Sequence, residues 1–243
     1  MTSSRRIGLA ISAVALLALL TACDPGGGGP TPTPDAGESG SPSATPTVTT
    51  EPEPEPEAAP ARADLALSPD GMGTLVFGET PSTDPATQML VLDPEYCLDS
   101  NAGFGTGFAP GDPQAALWVP IPAYRDGLYA DFGAEVGDEV LLRLDLLGND
   151  IPTTAGIRIG DHRDEVTAAY PGAAIVEEWG TDIYVVPGDH GILQIEVARQ
   201  PTEGGAYWED SDVGYVKYIH AVETTYGVFT VAASENIAGI CPF

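Results

Sequence analysis

The sequence predicts an α+β fold, an antiparallel sheet with one or two short helices, placed after a disordered stalk. Three observations predict it. Short apolar runs of strand length recur from residue 63 onward, one stretch joins helical spacing to start and stop signals, and residues 23–62 hold scarcely any side chain able to build a core.

The strand candidates are Leu75–Phe77, Met89–Leu92, Ala116–Ile121, Glu139–Leu146, Ile157–Ile159, Asp182–Val186, Ile192–Val197, Gly214–Ala221 and Val228–Ala232. Each is a few residues of branched or aromatic character between turn formers. In the run from Tyr215 to His220, Tyr215, Lys217 and Ile219 alternate with Val216, Tyr218 and His220, so both faces carry bulk. The helix lies in GIRIGDHRDEVTAAYPG, residues 156–172. Asp161 is read as the N-cap and Asp164 as its capping-box partner at N3; Val166, Ala169 and Tyr170 form an apolar stripe, and Pro171-Gly172 ends it. An earlier stretch, GTLVFGET at 73–80, parallels its first half: an apolar strand stops at glycine and enters a turn, with Thr80 placed to cap and Pro81 at N1. Pro85 then interrupts the helix. The two stretches read as diverged copies of one β-α-β-β unit, dividing the folded part into subunits 63–150 and 151–243, or as two unrelated turns.

The 156–172 stretch resembles a unit of uncharacterised secreted or lipid-anchored bacterial domains, actinobacterial ones in particular. There a G-x-x-x-G strand and turn lead into a short helix that returns to an antiparallel sheet. The resemblance covers roughly residues 155–232 and implies a fold, with no reaction attached.

The start of the chain places the protein. Arg5 and Arg6 precede the apolar run Ile7–Leu20, which is shorter than the ~20 residues of a bilayer span and is patterned like an export signal. Leu20-Thr21-Ala22-Cys23 resembles the lipobox of bacterial lipoproteins. That resemblance implies cleavage after residue 22, a diacylglycerol thioether on Cys23, and a protein held by its N-terminal lipid at the outer, extracytoplasmic face of the cell membrane; several acyl chains make such an anchor stable. Residues 1–22 are then a signal peptide. Residues 23–62, rich in Gly, Pro, Thr and Glu, form a stalk that cannot offset the entropy of ordering its backbone; its T-P and E-P repeats favour extended polyproline II. Residues 63–243 are the folded extracytoplasmic domain.

Acidic residues outnumber Lys plus Arg by 36 to 9, a formal net charge of −27. Long-range repulsion excludes nucleic acid as a partner and suits a cationic or envelope protein partner. With Cys23 lipidated, Cys97 and Cys241 remain. Export puts them where disulfides persist, and a bridge closing a loop of roughly 145 residues contributes about 5 kcal/mol in the chain-entropy picture. Two buried free thiols are the alternative.

Catalytic signatures are missing. There is no G-x-S-x-G, H-E-x-x-H, Walker loop or EF-hand. Gly103-Phe-Gly-Thr-Gly107 lacks the strand and helix that a phosphate loop needs. His162, with Asp164 and Glu165, reads as a solvated helix entrance better than as a metal site with His190, and His220 reads as an edge or sheet-surface residue. No catalytic, metal or cofactor-binding residue is assigned, and no cofactor. The stretch RQPTEGGAYWEDSD offers Tyr207, Trp208, Glu209 and Asp210 as an interaction loop, or as a flap that folds back over the sheet; Trp118 and Trp179 lie elsewhere, and nothing in the sequence groups them. The function expected is that of a lipid-anchored envelope protein acting as a structural or binding module. The alternatives are an extracytoplasmic hydrolase or metal-dependent enzyme, and a binder or inhibitor of a basic protein.

Overall fold

The computed structural model describes residues 58–98, 108–126, 129–234 and 236–241. Cys23, the residues read as signal peptide and those read as stalk as far as residue 57, and Gly103–Gly107 lie outside the described residues. The fold is α+β, dominated by antiparallel sheet. Its centre is a six-stranded sheet of β7 (Phe132–Gly137), β8 (Val140–Leu146), β9 (Ala174–Glu178), β10 (Thr181–Pro187), β11 (Gly191–Ala198) and β12 (Val216–Glu223), in the order β7-β8-β12-β11-β10-β9. A hairpin, β7–β8, thus lies beside a meander, β9 to β12, and β8 pairs with β12. The sheet draws strands from both sides of residue 150, and the described residues fall in one compact unit, Glu53–Phe243.

The β7–β8 turn is the two-residue kind, with Asp138 and Glu139 both at positive φ, which matches the twist of the strands it joins. Before the sheet come β1 (Gly71–Met72) with β2 (Leu75–Val76), β3 (Leu90–Asp93) with β4 (Leu117–Pro120), and β5 (Arg125–Asp126) with β6 (Tyr129–Ala130). These hairpins bring Met72, Leu75, Phe77, Met89 and Leu90 onto one face of the sheet, against Leu144, Leu193, Ile195, Ile219 and Ala221. The helix α1 (Arg163–Ala169), in the connection between β8 and β9, adds Val166 to the same core. Packing is already under way at residue 59: the Ala59 N–H donates to the Ala86 carbonyl at 3.0 Å, and the Tyr124 hydroxyl donates to the Pro60 carbonyl at 2.8 Å.

Several expectations are corrected. The cap of α1 is His162, whose Nδ1 accepts from the Asp164 N–H at 3.3 Å while the Glu165 carboxylate accepts from the His162 N–H at 2.9 Å. Asp161 instead accepts from the Arg158 N–H at 2.7 Å, closing the turn before the helix. Ile157–Ile159 is irregular, because that segment turns to meet Val216 through bonds from Gly160 and to Asp161. Val228–Ala232 is no strand; it runs into the short helix α2 (Val231–Ser234). β7 and β9, absent from the expected strands, are the two edges of the sheet.

Candidate functional site

The second face of the sheet carries a row of polar side chains beside the apolar Ile183 and Val222. Cross-strand register puts Arg143 and Asp145 of β8, His220 of β12, Gln194 and Glu196 of β11 and Thr181 of β10 on one side. All are buried. What covers them is the irregular strap 224–241, which includes α2, and a buried irregular backbone needs partners for its N–H and C=O groups.

The polar side chains supply those partners. Gln194 donates from Nε2 to the Gly227 carbonyl at 3.0 Å and accepts the Phe229 N–H at 3.2 Å. Glu196 accepts the Val231 N–H at 2.5 Å, the Ala232 N–H at 3.2 Å and the Thr230 hydroxyl at 2.8 Å, and burial pushes its carboxyl above the usual range. Arg143 donates to Asp145 Oδ1 at 2.7 Å and to the Asn236 carbonyl at 2.7 Å; Asp145 accepts the Ala238 N–H at 2.8 Å. The Arg143 guanidinium also lies 4.6 Å from the Phe229 ring centroid. Gly133, opposite Asp145 on β7, lets the strap come close: a Cβ there would sit 1.8 Å from the Ala238 carbonyl oxygen. Cys97 and Cys241 are joined as a disulfide, which ties the end of this strap to the segment after β3.

His220 differs from its neighbours. It was expected at an edge or on the sheet surface, but β12 is an interior strand and the side chain is fully buried. Its ring stacks on Phe229 at 4.7 Å. Neither ring nitrogen has a hydrogen-bond partner among the described residues; Glu196 Oε1 lies 3.8 Å from Nδ1. Burial, with the Arg143 charge alongside, lowers its pKa from 6.5 to about 3, so the imidazole is neutral.

A cavity of about 1060 Å³ opens beside it. Its position follows from the ladder. β8 and β12 pair only across Asp145–His220, Leu144–Ala221 and Arg143–Val222. Beyond the Asp145–His220 pair, β12 continues back to Val216 while β8 ends at Leu146, so the two strands fork. The cavity fills the fork, between Leu146–Gly148 on one side and Lys217–His220 on the other, under Val231, Ile237 and Ile240 of the strap. Asp93, Glu95, Arg125 and Lys217 carry charge at its wall. Apolar surface with a few placed polar groups is the usual make-up of a small-molecule site.

The residues proposed from sequence assemble elsewhere. Tyr207 and Trp208 fold back: the Trp208 indole donates to the Gly180 carbonyl at 2.6 Å and the Tyr207 hydroxyl to the Ala232 carbonyl at 3.0 Å. Tyr207 meets Trp179 edge-on at 4.6 Å and Trp208 at 4.7 Å, which groups two tryptophans that the sequence leaves apart. Trp179 and Tyr207 stay 45% and 39% exposed, and Glu209 and Asp210 are exposed beside them. Lys217 links the two regions: its ammonium lies 5.4 Å from the Trp208 ring centroid, 3.0 Å from Asp212, and the residue lines the cavity. Among the described residues no group of three His, Cys, Asp or Glu is placed to hold a metal ion, and no helix is long and apolar enough to cross a membrane.

No family model matches the chain, and no curated protein matches it. Among solved structures it is similar to the crystal structure of the uncharacterized protein YfeY from Escherichia coli, at 17% identity over 65% of this chain and 99% of that one, with a TM-score of 0.35.

Proposed function

We propose that the protein is a lipid-anchored envelope protein, tethered through Cys23 at the extracytoplasmic face of the membrane, whose folded part is a non-enzymatic binding module for a small amphipathic molecule. The observation that carries the binding role is the cavity in the β8–β12 fork, of about 1060 Å³, with apolar walls and charge on its lining. That volume matches the few hundred to about 1,000 Å³ of ordinary ligand sites. The lipobox-like start and the scarcity of core-forming side chains in residues 24–57, where Val48 is the one large aliphatic residue, support the tether.

The test uses full-length protein in nanodiscs, with empty nanodiscs as blank, and the fluorophore N-phenyl-1-naphthylamine. Saturable binding above the blank is expected, weakened at least about fivefold by Ile237→Trp, which fills the cavity from the strap. A signal equal to the blank, or one indifferent to that substitution, sinks the binding role. Intact-mass analysis showing residue 23 unmodified sinks the tether. A second reading, binding of a basic protein, draws on the exposed Trp179–Tyr207 pair beside Glu209 and Asp210. Aromatic faces and carboxylates together attract cations. An oligolysine peptide whose affinity is unchanged by combined Trp179→Ala and Tyr207→Ala substitution would end that reading.

A further inference from the structure

In a chain with 36 acidic residues and 9 Lys plus Arg, cations find partners easily. Arg62, Arg163 and Arg199 pair with carboxylates, and Lys217 pairs with Asp212. Arg158 donates to backbone carbonyls, and Arg143 to Asp145 and the strap. Arg125, half-buried on the cavity wall, is the one Lys or Arg among the described residues with no hydrogen bond or ion pair. Its direction follows from the ladder. The cross-strand partner of Arg125 is Ala130 on β6, paired residues share a face, and both line the cavity. Asp93 and Glu95 line the same cavity without pairing with Arg125; Asp93 Oδ1 instead accepts the Glu95 N–H at 3.1 Å.

We infer that Arg125 anchors a carboxylate, and that the ligand of the cavity is an amphipathic monoanion. This rests on the binding role proposed above and adds the ligand's charge. A guanidinium stays charged when half-buried and presents its donors as a planar fork, which takes a carboxylate through two parallel hydrogen bonds. No carboxylate of the described residues occupies that fork, and a ligand carboxylate would offset the partial desolvation of the charge. Lys217 is not equivalent, because its ammonium is held by Asp212 at 3.0 Å and lies 5.4 Å from the Trp208 ring centroid. Asp93 and Glu95 on the same wall oppose a second negative charge, which favours a carboxylate over a phosphate dianion. The apolar body of the ligand meets Leu147, Ile159, Ile237 and Ile240, none of them fully buried.

Equilibrium dialysis of the full-length protein in nanodiscs of zwitterionic lipid, against empty nanodiscs at neutral pH, tests this. The probes are 2-naphthoate, its uncharged counterpart 2-naphthamide, and 2-naphthyl phosphate. Wild type should hold 2-naphthoate about tenfold tighter than 2-naphthamide, and should hold 2-naphthyl phosphate more weakly than 2-naphthoate. Arg125→Gln should cut the preference for carboxylate over amide to under about twofold. In the wild type, the 15N resonance of Arg125 Nε should shift on adding 2-naphthoate and stay put with 2-naphthamide, a reading that does not depend on the variant. If the probes bind but wild type shows no carboxylate preference, or the variant keeps it, or the resonance does not move, the assignment of Arg125 is wrong and the cavity's binding role stands. Tighter binding of the phosphate ester than of 2-naphthoate would overturn the monoanion. If no probe exceeds the blank, the binding role fails and the assignment falls with it.

Discussion

The two faces of the six-stranded sheet are covered in opposite ways. On one, hairpins and α1 press Leu, Ile, Met and Phe side chains against the strands. On the other, a strap with little regular structure is held by Arg143, Asp145, Gln194 and Glu196, each bonded to backbone. Apolar packing is non-directional and tolerates exchange of one hydrocarbon for another. Polar clamping is directional, and each removed partner leaves an orphan behind. The first face should therefore degrade by degrees and the second by steps.

Arg143→Leu is the harshest test of that difference. It strands the Asp145 carboxylate and the Asn236 carbonyl in the interior, and should cost about 3–5 kcal/mol in denaturant unfolding. Leu193→Ala, on the apolar face, should cost about 2–5 kcal/mol as a cavity. The comparison sharpens with repair: Leu193→Met should cost under about 1.5 kcal/mol, whereas adding Asp145→Leu to Arg143→Leu should still leave a loss of about 2 kcal/mol or more, because the Ala238 N–H loses its acceptor. Full recovery by the double substitution would show that the clamp holds nothing.

Acid should act through His220. Its folded pKa of about 3 lies below the unfolded 6.5, so between these values the unfolded chain binds more protons. Stability gained above pH 6.5 is thus lost as pH falls towards 3, by several kcal/mol in order of magnitude. Glu196, raised by burial, contributes in the opposite sense: it favours the fold at low pH and that contribution is lost as pH rises through its folded value. Comparing wild type with His220→Phe isolates the histidine. The variant should lack that acid-side decline and, at neutral pH without ligand, be more stable by about 1–3 kcal/mol. Identical pH profiles would contradict the burial described for this ring.

Gly133→Ala should cost about 1–3 kcal/mol by pushing Ala238 and its strap off β7, and should weaken N-phenyl-1-naphthylamine binding with it. Glu209→Ala and Asp210→Ala, exposed on the loop, should each stay within about 0.5 kcal/mol of wild type. A larger change at either carboxylate would mean that the loop is part of the clamp.

The apolar face was legible in the sequence and the polar face was not. Runs such as Asp182–Val186 and Ile192–Val197 announce β10 and β11 because the meander's central strands bury both sides, and the fold class follows from them. The edge strands were missed: Phe132–Gly137 carries two glycines and a glutamate, and Ala174–Glu178 is largely solvated, so neither shows a buried strand's pattern. The site was hidden for a different reason. Gln194, Glu196 and His220 sit in strands at positions where polar residues ordinarily point to water, and only the strap, itself without periodicity, reverses that meaning. By that logic His220 reads as surface. The N–H and C=O groups of an irregular segment needing buried partners would have been the signal, visible only once the segment's place was known. Trp179 and Tyr207 meet through the β9–β10 turn and a long loop, a proximity that no spacing encodes.

The order of residues along the chain has a consequence for how the molecule is made. Synthesis proceeds from the N-terminus, so all the strands of the central sheet are made before residues 224–241. A sheet without that segment would present Arg143, Asp145 and Glu196 on one side, among Ile183 and Val222, and hydrocarbon on the other. The segment that follows β12 then closes over the polar side chains like a lid, sewn shut by the bond from Cys241 to Cys97.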